Sequence, residues 1–585
     1  MAALPEHPSD TSGGDGAVPP QESSPESSGP GHGEPWATTA VWFGPEDRPL
    51  LGWLTEPTAG VGGIGVVIVA PLGYEYWTAH RALRTLAERL AAQGCTVLRF
   101  DLDGTGDSAG GSSDPDQLSS WRTSVRAAVD RIRAGGSTDV VLAGIRFGAT
   151  LALLEGVATG ADRIVAWAPI ERGRGYVREL RLLGRPIPER AEGTGGGIAH
   201  AGSAFSPQTL TDLGAVDLAS LDAAPAGRVL VVDREDRPPS DVLLGRLEAL
   251  GTAVDHVTLP DTDLVLDRPT EYAEVPEAVV GYISTWVGTP APGTARHAPT
   301  IDVTATARIG GATESVVRLG TEGLIGIETE PDAPRRATVV WCNSGSEPHE
   351  GPGRAWVEYA RDLADAGYAS VRLDFSGWGE SPDLGHAPGR PYDAHCIDEI
   401  GSAVASLRSR GHERIIVAGL CAGAWITLRA ALLYPVDGVI AFNPQLYWAP
   451  GDPVEADLVG ETRVRRTEEI RRIKRWRRTG LWTALDAVGV RHPVATWIRE
   501  LEESGTPILM LFAEGDDGIE FLEDRVGRAW GEVLRSGKIQ SRVIPGIDHP
   551  MHRTWLRSTV VDEARRWLDA LTGPDSVAPA PTTAA

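Results

Sequence analysis

The sequence has little lysine, little cysteine and no long apolar segment. Lys474 and Lys538 are the only lysines, so arginine supplies almost all of the positive charge. The four cysteines are too few for a disulfide framework in 585 residues and lack the spacing of metal ligands. No apolar run approaches the ~20 residues of a membrane span, and no basic-then-apolar signal opens the chain. We therefore expect a cytoplasmic bacterial protein without a membrane span, a bound metal or a cofactor.

Positive charge as a whole is also scarce. Acidic residues number 80 against 55 basic ones, which gives a formal net charge of −25. A chain this acidic is not expected to bind nucleic acid as its main partner. Hydrophobic residues make up 42% of the sequence, which is enough apolar material for two cores.

The chain repeats itself at a nearly constant distance. The segment LLGWLTEP at 50–57 is echoed by LIGIETEP at 324–331, and DLDGTGDS at 101–108 by DFSGWGES at 374–381. A third pair, GIRFG at 144–148 and GLCAG at 419–423, follows the same offset of 273 to 275 residues. This constancy predicts two copies of one domain.

The third pair has the pattern of a nucleophile elbow. Each segment follows an apolar strand pattern and opens a helix rich in Ala and Leu, which is the context that gives G-x-nucleophile-x-G its meaning. Cys421 at the centre of the second elbow can attack an acyl carbon, whereas Arg146 at the centre of the first cannot. The pattern predicts one catalytic copy and one non-catalytic copy.

The second copy contains a complete candidate triad. A buried-strand pattern at 507–512 runs into Asp516, and a last strand at 541–544 leads to His549. His549 would accept the proton of Cys421, and Asp516 would orient the imidazole. Asp517 is the alternative acid, since spacing does not separate adjacent aspartates.

An oxyanion hole is expected beside the nucleophile. Its donors would be the backbone N–H of Ala422 and one from Ser344, Gly345 or Ser346, which follow an apolar strand. The alternative interpretation takes the elbow cysteine as a small buried residue and the triad histidine as a loop residue.

The first copy lacks the corresponding groups. Asp236 falls at the position of the triad acid, but Leu264 falls where the histidine would be, and His256 lies earlier within a strand. For Arg146 two interpretations stay open. It binds a carboxylate or phosphate at a helix N-terminus, or it pairs internally with Asp236 or Asp101.

Short β-branched runs alternate with amphipathic helices in both copies, which predicts largely parallel sheets flanked by helices. The sequence predicts a disordered tail at 1–36, a non-catalytic domain at 37–287, a Pro/Gly linker at 288–300, a catalytic domain at 301–573 and a disordered tail at 574–585.

A basic insertion at 450–504 is expected to form a helical cap over the second site. Nine basic residues cluster between positions 463 and 478: Arg463, Arg465, Arg466, Arg471, Arg472, Lys474, Arg475, Arg477 and Arg478. Arg471, Arg475 and Trp476 are candidate substrate-binding residues, and Trp482 and Trp497 would line an apolar entrance with Trp476. Alternatively, the arginines pair with nearby glutamates on a solvated helix.

These motifs resemble those of α/β-hydrolases of the serine aminopeptidase-like type. More narrowly, the second copy is similar to the first, and the first copy to the second, of two hydrolases that accompany exosortase loci. For the second copy, the similarity rests on the cysteine elbow and the loop at 345–356. For the first copy, it rests on the segment at 71–75, the turn at 101–108 and the arginine-bearing elbow at 144–148. It implies a tandem α/β-hydrolase fold. A cysteine elbow also resembles those of dienelactone hydrolases and polyhydroxyalkanoate synthases.

Three hypotheses of function follow. The first is a cysteine acyl enzyme acting on thioesters of coenzyme A or an acyl carrier protein, or on activated esters, as thioesterase, acyltransferase or cyclase in natural-product biosynthesis. The second is an ester or lactone hydrolase, or a polysaccharide-modifying acyl enzyme. The third is a non-catalytic binding scaffold.

Overall fold

The structure is a computed structural model of the chain. It describes residues 34–58, 63–189, 191, 195–237, 240–289, 306–386, 392–444 and 493–573. The described residues belong to one compact unit. The expected tails, linker and cap therefore lie outside the described residues, except for 34–36, 288–289 and 493–504. Trp36, placed in the tail by the sequence, already begins a strand.

The N-terminal half, residues 34–289, is built on one eight-stranded sheet. Its strands are β1 (Trp36–Phe43), β2 (Leu50–Pro57), β3 (Ile64–Val69), β4 (Thr96–Phe100), β5 (Asp139–Ile145), β6 (Arg163–Trp167), β10 (Arg228–Arg234) and β11 (Ala253–Leu259). They lie in the order β1-β2-β4-β3-β5-β6-β10-β11, antiparallel at the first two pairs and parallel thereafter. A small separate sheet contains β7 (Arg185–Pro186), β8 (Ile198–His200) and β9 (Ser203–Phe205).

The C-terminal half, residues 306–573, repeats this plan with one further edge strand. Its strands are β12 (Thr306–Ile309), β13 (Ala312–Leu319), β14 (Leu324–Pro331), β15 (Ala337–Trp341), β16 (Tyr368–Leu373), β17 (Ile415–Leu420), β18 (Gly438–Phe442), β19 (Ile508–Ala513) and β20 (Ile539–Ile544). The order is β12-β13-β14-β16-β15-β17-β18-β19-β20, with parallel pairing from β16 onward.

Helices follow most of the parallel strands in both halves. In the N-terminal half they are α1 (Tyr74–Ala92), α2 (Gln117–Ala134), α3 (Phe147–Thr159), α4 (Gly173–Leu183), α5 (Pro207–Ala215), α6 (Asp241–Ala249), α7 (Asp263–Leu266) and α8 (Glu277–Val287). In the C-terminal half they are α9 (Ala355–Ala364), α10 (His395–Ser409), α11 (Ala422–Leu433), α12 (Pro493–Ser504), α13 (Asp517–Val526), α14 (Arg528–Ser536) and α15 (Arg557–Thr572).

Each sheet is buried on both faces. Along β15, Val340 packs into one apolar cluster, whereas Val339 and Trp341 pack into another. Successive side chains of a strand point to opposite faces, so the two clusters are the cores on either side of the sheet. The N-terminal sheet likewise separates two cores. Continuous apolar strands covered on both faces are typical of parallel sheets, and they confirm the predicted fold class of largely parallel sheets flanked by helices.

The same tight turn follows β4 and β16. In each, the first aspartate, Asp101 or Asp374, accepts a 2.9 Å hydrogen bond from the amide six residues later. Gly106 and Gly379 adopt positive φ angles of 48° and 43°, and a Cβ at either would lie 2.2 or 2.1 Å from that carboxylate. The sequence repeat at 101–108 and 374–381 is therefore a repeat of backbone geometry and hydrogen bonding.

The two halves meet through these turns in reciprocal contacts. Arg99 binds Glu380 with two hydrogen bonds of 2.8 Å, and Arg372 binds Asp107 at 2.9 Å. The residues of the second pair lie 273 positions from their counterparts in the first. The halves thus contact each other through equivalent surfaces, as the subunits of a twofold dimer do.

Backbone and apolar contacts follow the same symmetry. Arg84 donates to the carbonyls at the sixth and eighth positions of the turn at 374–381, and Arg354 donates to those at the same positions of the turn at 101–108. One apolar cluster joins the two sheets: Trp42, Leu51, Trp53, Ala307, Ile325 and Ile327. The interface is therefore a buried part of the fold.

Candidate active site

Cys421 lies at the turn between β17 and α11. Its φ of 55° and ψ of −110° are uncommon for a residue with a side chain. The flanking glycines make this turn possible, because a Cβ on Gly419 would lie 2.4 Å from the backbone of Gly423. A Cβ on Gly423 would lie 2.5 Å from the carbonyl of Asn343. The elbow predicted from the sequence is present, with its central thiol half-buried.

The structure brings His549 and Asp516 to this thiol. The Nδ1 atom of His549 lies 2.5 Å from Oδ2 of Asp516, and the ring lies close enough to Cys421 for that residue to raise its pKa. The other oxygen of Asp516 accepts a 2.8 Å hydrogen bond from the amide of Gly518 and so caps α13. Asp517 is the first residue of that helix. Asp516 is therefore the aspartate in contact with the histidine.

His549 is held in its charged form by these neighbours. Burial favours the neutral ring, but the hydrogen bond that the ring donates to Asp516 and the interaction with Cys421 outweigh it and raise the pKa of His549 to about 10. The side chain retains 31% exposure, which leaves it accessible from outside the core. At neutral pH the imidazole therefore carries a proton beside the thiol.

The predicted oxyanion donors lie near one another. Ala422 is the first residue of α11, so its amide has no acceptor within the helix. Ser344 is buried in the loop after β15, whose neighbour Asn343 touches the elbow at Gly423. Within the part of the chain that the structure describes, no backbone carbonyl accepts the amide of Ala422 or Ser344.

Gly345 and Ser346 follow Ser344 at the outer end of this loop. Gly345 has a positive φ of 57°, and both residues are partly exposed. The loop is closed by the pairing of Ser344 with Glu347, whose amide donates to the Ser344 carbonyl at 3.0 Å. Of the three candidates, Ser344 is the one buried next to the elbow.

Two residues at the site were not predicted from the sequence. Asn443, after β18, donates to the carbonyl of His549 at 2.8 Å and accepts from the amide of Ala513 at 2.6 Å. It thereby joins the histidine loop to the strand that precedes Asp516. The hydroxyl of Tyr392 lies 3.6 Å from the sulfur of Cys421. Neither residue belongs to a motif with a fixed spacing, so the sequence offered no signal for them.

The elbow of the N-terminal half has the same backbone with different chemistry. Arg146 has a φ of 54° and a ψ of −121°, close to the angles of Cys421. Its guanidinium binds Glu75 at 2.7 Å and lies 3.6 Å from Glu179. The internal partner is therefore Glu75 in the first turn of α1, and the suggested pairing with Asp236 or Asp101 is wrong.

The other residues of this half that were considered for triad positions do not form a triad with Arg146. Asp236 pairs with Arg234 at 2.7 Å, and Leu264 lies in the short helix α7. His256 lies within β11, where it contacts the buried carboxylate of Asp233 at 2.9 Å. No described histidine takes the place of His549 in this half.

The basic insertion lies largely outside the described residues, as do Arg471, Arg475 and Trp476. Its last segment is α12, where Trp497 is fully buried in the core of the C-terminal sheet. The guanidinium of Arg429 lies 5.7 Å from its ring. The expectation that Trp497 lines an entrance is therefore wrong, because the residue packs into the core.

Two groups of potential metal ligands come together among the described residues. They are His386, His395 and Glu399, and Asp107, His349 and Glu350. In the second group both ring nitrogens of the histidine are bound to carboxylates. In the first, the two rings stack at 3.8 Å and the glutamate accepts two hydrogen bonds from Ser376. That the chemistry needs no metal stays a prediction.

Comparison with known families matches residues 335–478 to the serine aminopeptidase family S33. Comparison with curated proteins finds no match. Among the described residues no helix is both long and apolar enough to cross a membrane.

Several solved structures are similar to this chain. Est1E from Butyrivibrio proteoclasticus with bound ferulic acid is 19% identical, covers 42% of this chain and 96% of its own, and has a TM-score of 0.34. Brefeldin A esterase, a bacterial homologue of human hormone-sensitive lipase, is 18% identical over 44% and 77%, at 0.32. XC6422 from Xanthomonas campestris, an α/β serine hydrolase without a lid, is 19% identical over 43% and 93%, at 0.27.

The family match covers the strand β15, the turn at 374–381 and the elbow of Cys421. These are the elements that position the candidate site. The strand order and the strained elbow agree with it. The chain therefore has an α/β-hydrolase fold, in two mostly parallel sheets flanked by helices.

Proposed function

We propose that the C-terminal half is a cysteine-dependent acyl enzyme that acts on thioesters or activated esters. The observation that carries this proposal is the linear arrangement of thiol, imidazole and carboxylate at the elbow. Cys421 lies close enough to His549 to raise the pKa of the ring, and His549 binds Asp516 at 2.5 Å. A nucleophile, a proton carrier and an orienting acid in this order are the requirements of covalent acyl transfer.

In the reacting form of the site, the thiol of Cys421 has given its proton to His549, so that a thiolate lies beside an imidazolium. The sulfur attacks the acyl carbon, and the carbonyl electrons move to the oxygen, which the amides of Ala422 and Ser344 stabilise. Those electrons return as the bond to the leaving thiol or alcohol breaks, and His549 gives that group its proton. An acyl-cysteine thioester and a neutral imidazole remain.

The second step releases the acyl group. An acceptor, which is water, an alcohol or an amine, loses a proton to His549 as it attacks the acyl-cysteine carbon. Collapse of the intermediate breaks the carbon–sulfur bond and restores the thiolate and imidazolium. Exchange between two thioesters is nearly isoenergetic, so a cysteine suits thioester donors and transfer to a second nucleophile.

We propose coenzyme A or a phosphopantetheine-bearing carrier protein as the acyl carrier, in natural-product biosynthesis. Support comes from the sequence of the insertion, where nine basic residues lie between 463 and 478 in a chain of net charge −25. Such a cluster attracts phosphate groups and acidic surfaces. Hydrolysis of simple esters or lactones is the second candidate, because the matched family is one of hydrolytic enzymes.

We propose that the N-terminal half is non-catalytic, with Arg146 in a structural role. The guanidinium occupies the nucleophile position and is held by the partly buried carboxylate of Glu75. Leu264 stands where a histidine is needed. These residues supply no group for acyl transfer by a nucleophile and a base.

The test is turnover of a short-chain acyl-coenzyme A, with hydroxylamine as a competing acceptor. We expect release of coenzyme A, an acyl adduct on Cys421 and faster release when hydroxylamine is present. Cys421→Ala should show none of these, and Cys421→Ser should keep weak ester hydrolysis at most.

The outcomes separate the hypotheses. Rapid hydrolysis of simple esters, without acyl transfer or thioester turnover, would favour the second candidate. An absence of adduct and turnover with every acyl donor, in a protein whose near-ultraviolet circular dichroism shows a folded state, would leave only a binding scaffold.

A further inference from the structure

The loop that supplies Ser344 is fastened to the N-terminal half. We call residues 343–350 the oxyanion loop. At its far end, the Nε2 atom of His349 lies 2.6 Å from Oδ2 of Asp107, which belongs to the N-terminal half. The Nδ1 atom lies 2.6 Å from Oδ2 of Asp374. The exposed fractions of these three side chains are 2% or less, so solvent does not weaken the contacts.

Both ring nitrogens of His349 face carboxylates, so both must carry hydrogen and the ring must be an imidazolium. Burial opposes this charge, but Asp374 and Asp107 overcome it and raise the pKa of His349 well above its usual range. Glu350 acts in the same direction. The charge of Asp107 is in turn stabilised by Arg372 at 2.9 Å. The group is a buried network of alternating charges.

The network fixes both ends of the oxyanion loop. Oδ1 of Asp374 accepts from the amide of His349 at 2.8 Å and from the side chain of Asn343 at 2.9 Å. Asn343 lies directly before Ser344, and its carbonyl is the group that a Cβ on Gly423 would meet. The side chain of Asn343 and the backbone amide of His349 therefore bind the same carboxylate, that of Asp374. The ring of His349 then joins this carboxylate to that of Asp107.

The pseudo-twofold counterpart of Asp107 does not reach this loop. Glu380 occupies the equivalent position and binds Arg99 as Asp107 binds Arg372. Its other side-chain partner is His80 on α1 at 2.8 Å. The side chain of Glu380 is as well buried as that of Asp107, at 3% exposure, and it also crosses between the halves. The two carboxylates differ mainly in their second partner, which is His349 of the oxyanion loop for Asp107 and His80 of α1 for Glu380.

From this difference we infer that Asp107 is a positioning residue for the oxyanion hole of the C-terminal half. The non-catalytic half thus completes the catalytic one by holding His349, and through it the loop that carries the amide of Ser344. The inference rests on the proposed acyl chemistry, since an oxyanion must form at Cys421 for the loop position to matter.

The size of the effect follows from the role of the amide. Removing one oxyanion donor typically lowers the rate by about 10²–10³-fold, and a displacement of ~1 Å can cost about 10²-fold. Asp107→Asn keeps the shape of the side chain but removes the charge that binds His349 and Arg372. We expect acylation by p-nitrophenyl acetate to slow by roughly 10–100-fold, because the loop shifts without losing its amide.

The test compares two reactions of the same thiol. Alkylation of Cys421 by iodoacetamide is a displacement at carbon that forms no oxyanion, so it reports the state of the thiol and His549. Acylation by p-nitrophenyl acetate depends on both the thiol and the oxyanion hole. Asp107→Asn should slow acylation while alkylation stays within about twofold, whereas the matched control Glu380→Gln should leave both within about twofold.

A double-substituted protein covers the case in which an unpaired imidazolium destabilises the single variant. In Asp107→Asn/His349→Gln neither side of the contact is charged. Because both residues act through one contact, acylation should fall no further than in His349→Gln alone. The inference would be overturned if the two substitutions multiplied their effects on acylation in the double variant. It would also be overturned if Asp107→Asn slowed alkylation as much as acylation, or if Asp107→Asn and Glu380→Gln had equal effects.

The proposed function fails in a different way. If the unsubstituted protein is alkylated at Cys421 but never acylated, no oxyanion forms there, and the acyl chemistry is refuted before any variant is compared. If it is acylated normally and Asp107→Asn is acylated equally fast, the acyl chemistry stands and the positioning role is refuted.

Discussion

The two elbows share a backbone and differ in chemistry. Arg146 and Cys421 have φ angles of 54° and 55° on turns between a strand and a helix, yet only Cys421 has a histidine and an acid beside it. Strained backbone of this kind is costly and persists only where the surrounding structure determines it. At both elbows the glycines bring strand and helix into close contact. The comparison teaches that the turn is maintained by packing as well as by catalysis.

The halves also differ in how they use a buried charge. In the N-terminal half, Arg146 neutralises Glu75, whose pKa is raised by burial despite that contact. In the C-terminal half, Asp516 keeps a proton on His549. Arg146 and Glu75 neutralise each other, whereas Asp516 and His549 leave a protonated ring next to the nucleophile. Substitutions at the two elbows should therefore separate stability from activity.

The largest effect is expected for Cys421→Ala. Removing the nucleophile should lower acyl transfer by at least about 10⁴-fold, to the background of the intact protein. The urea midpoint should change little, since the thiol is small and half-buried. Steady-state turnover and equilibrium unfolding measure the two quantities. Full turnover in this variant would mean that the N-terminal half, or another group, performs the reaction.

Asp516→Asn and Asp517→Asn sharpen the comparison within the C-terminal half. The first should reduce kcat by about 10²–10⁴-fold, because an amide does not hold the imidazole in its charged, oriented form. The second should stay within about twofold, since Asp517 begins α13 and only Asp516 binds His549. Equal losses in the two variants would show that the helix, and not the carboxylate contact, sets the rate.

Arg146→Met should lower stability and leave activity unchanged, which is the reverse of the result expected for Cys421→Ala. The loss of the arginine leaves the carboxylate of Glu75 buried without its partner, and breaking a buried pair costs about 3 kcal/mol. We expect a lower urea midpoint with turnover of the folded protein within about twofold. The control is Arg146→Met/Glu75→Gln, which should recover part of the stability. A loss of activity without a loss of stability would instead indicate an anion site at Arg146.

The smallest effect is a shift in pH dependence for alkyl esters. His549 must be protonated to supply the leaving alkoxide with a proton, and its pKa is raised to about 10 by Asp516 and Cys421. The rate should therefore fall as the pH rises through about 10. Loss of the carboxylate lowers the pKa, so Asp516→Asn should lose activity at a lower pH. A thioester, whose leaving thiol needs less help, is the control. An unchanged alkaline limb in Asp516→Asn would contradict the assignment.

Much of this fold could be predicted from the sequence because the repeated elements are local. The elbows, the turns at 101–108 and 374–381 and the alternating strands and helices each depend on neighbours in the chain. Cys421, His549 and Asp516 were found through their order after particular strands. Asp516 could not be separated from Asp517 by spacing, since the choice depends on a helix cap and a ring placed by tertiary structure.

What the sequence did not provide is contact between distant segments. Asp107 and His349 are 242 residues apart, and their pairing follows from the reciprocal packing of the two halves. Glu75 as the partner of Arg146 and the burial of Trp497 likewise depend on packing across the fold. A repeat read from sequence predicts that two domains exist, but it contains no information on the surfaces through which they meet.

The central claim is that one half forms the acyl-enzyme and the other does not. The most direct measurement is the number and position of acyl groups after a brief reaction with an acyl thioester, by mass spectrometry of the intact protein and its peptides. The account predicts one acyl group per chain, on the peptide that contains Cys421, and none in Cys421→Ala. An acyl group on residues 34–289 that forms at the rate of turnover would contradict it.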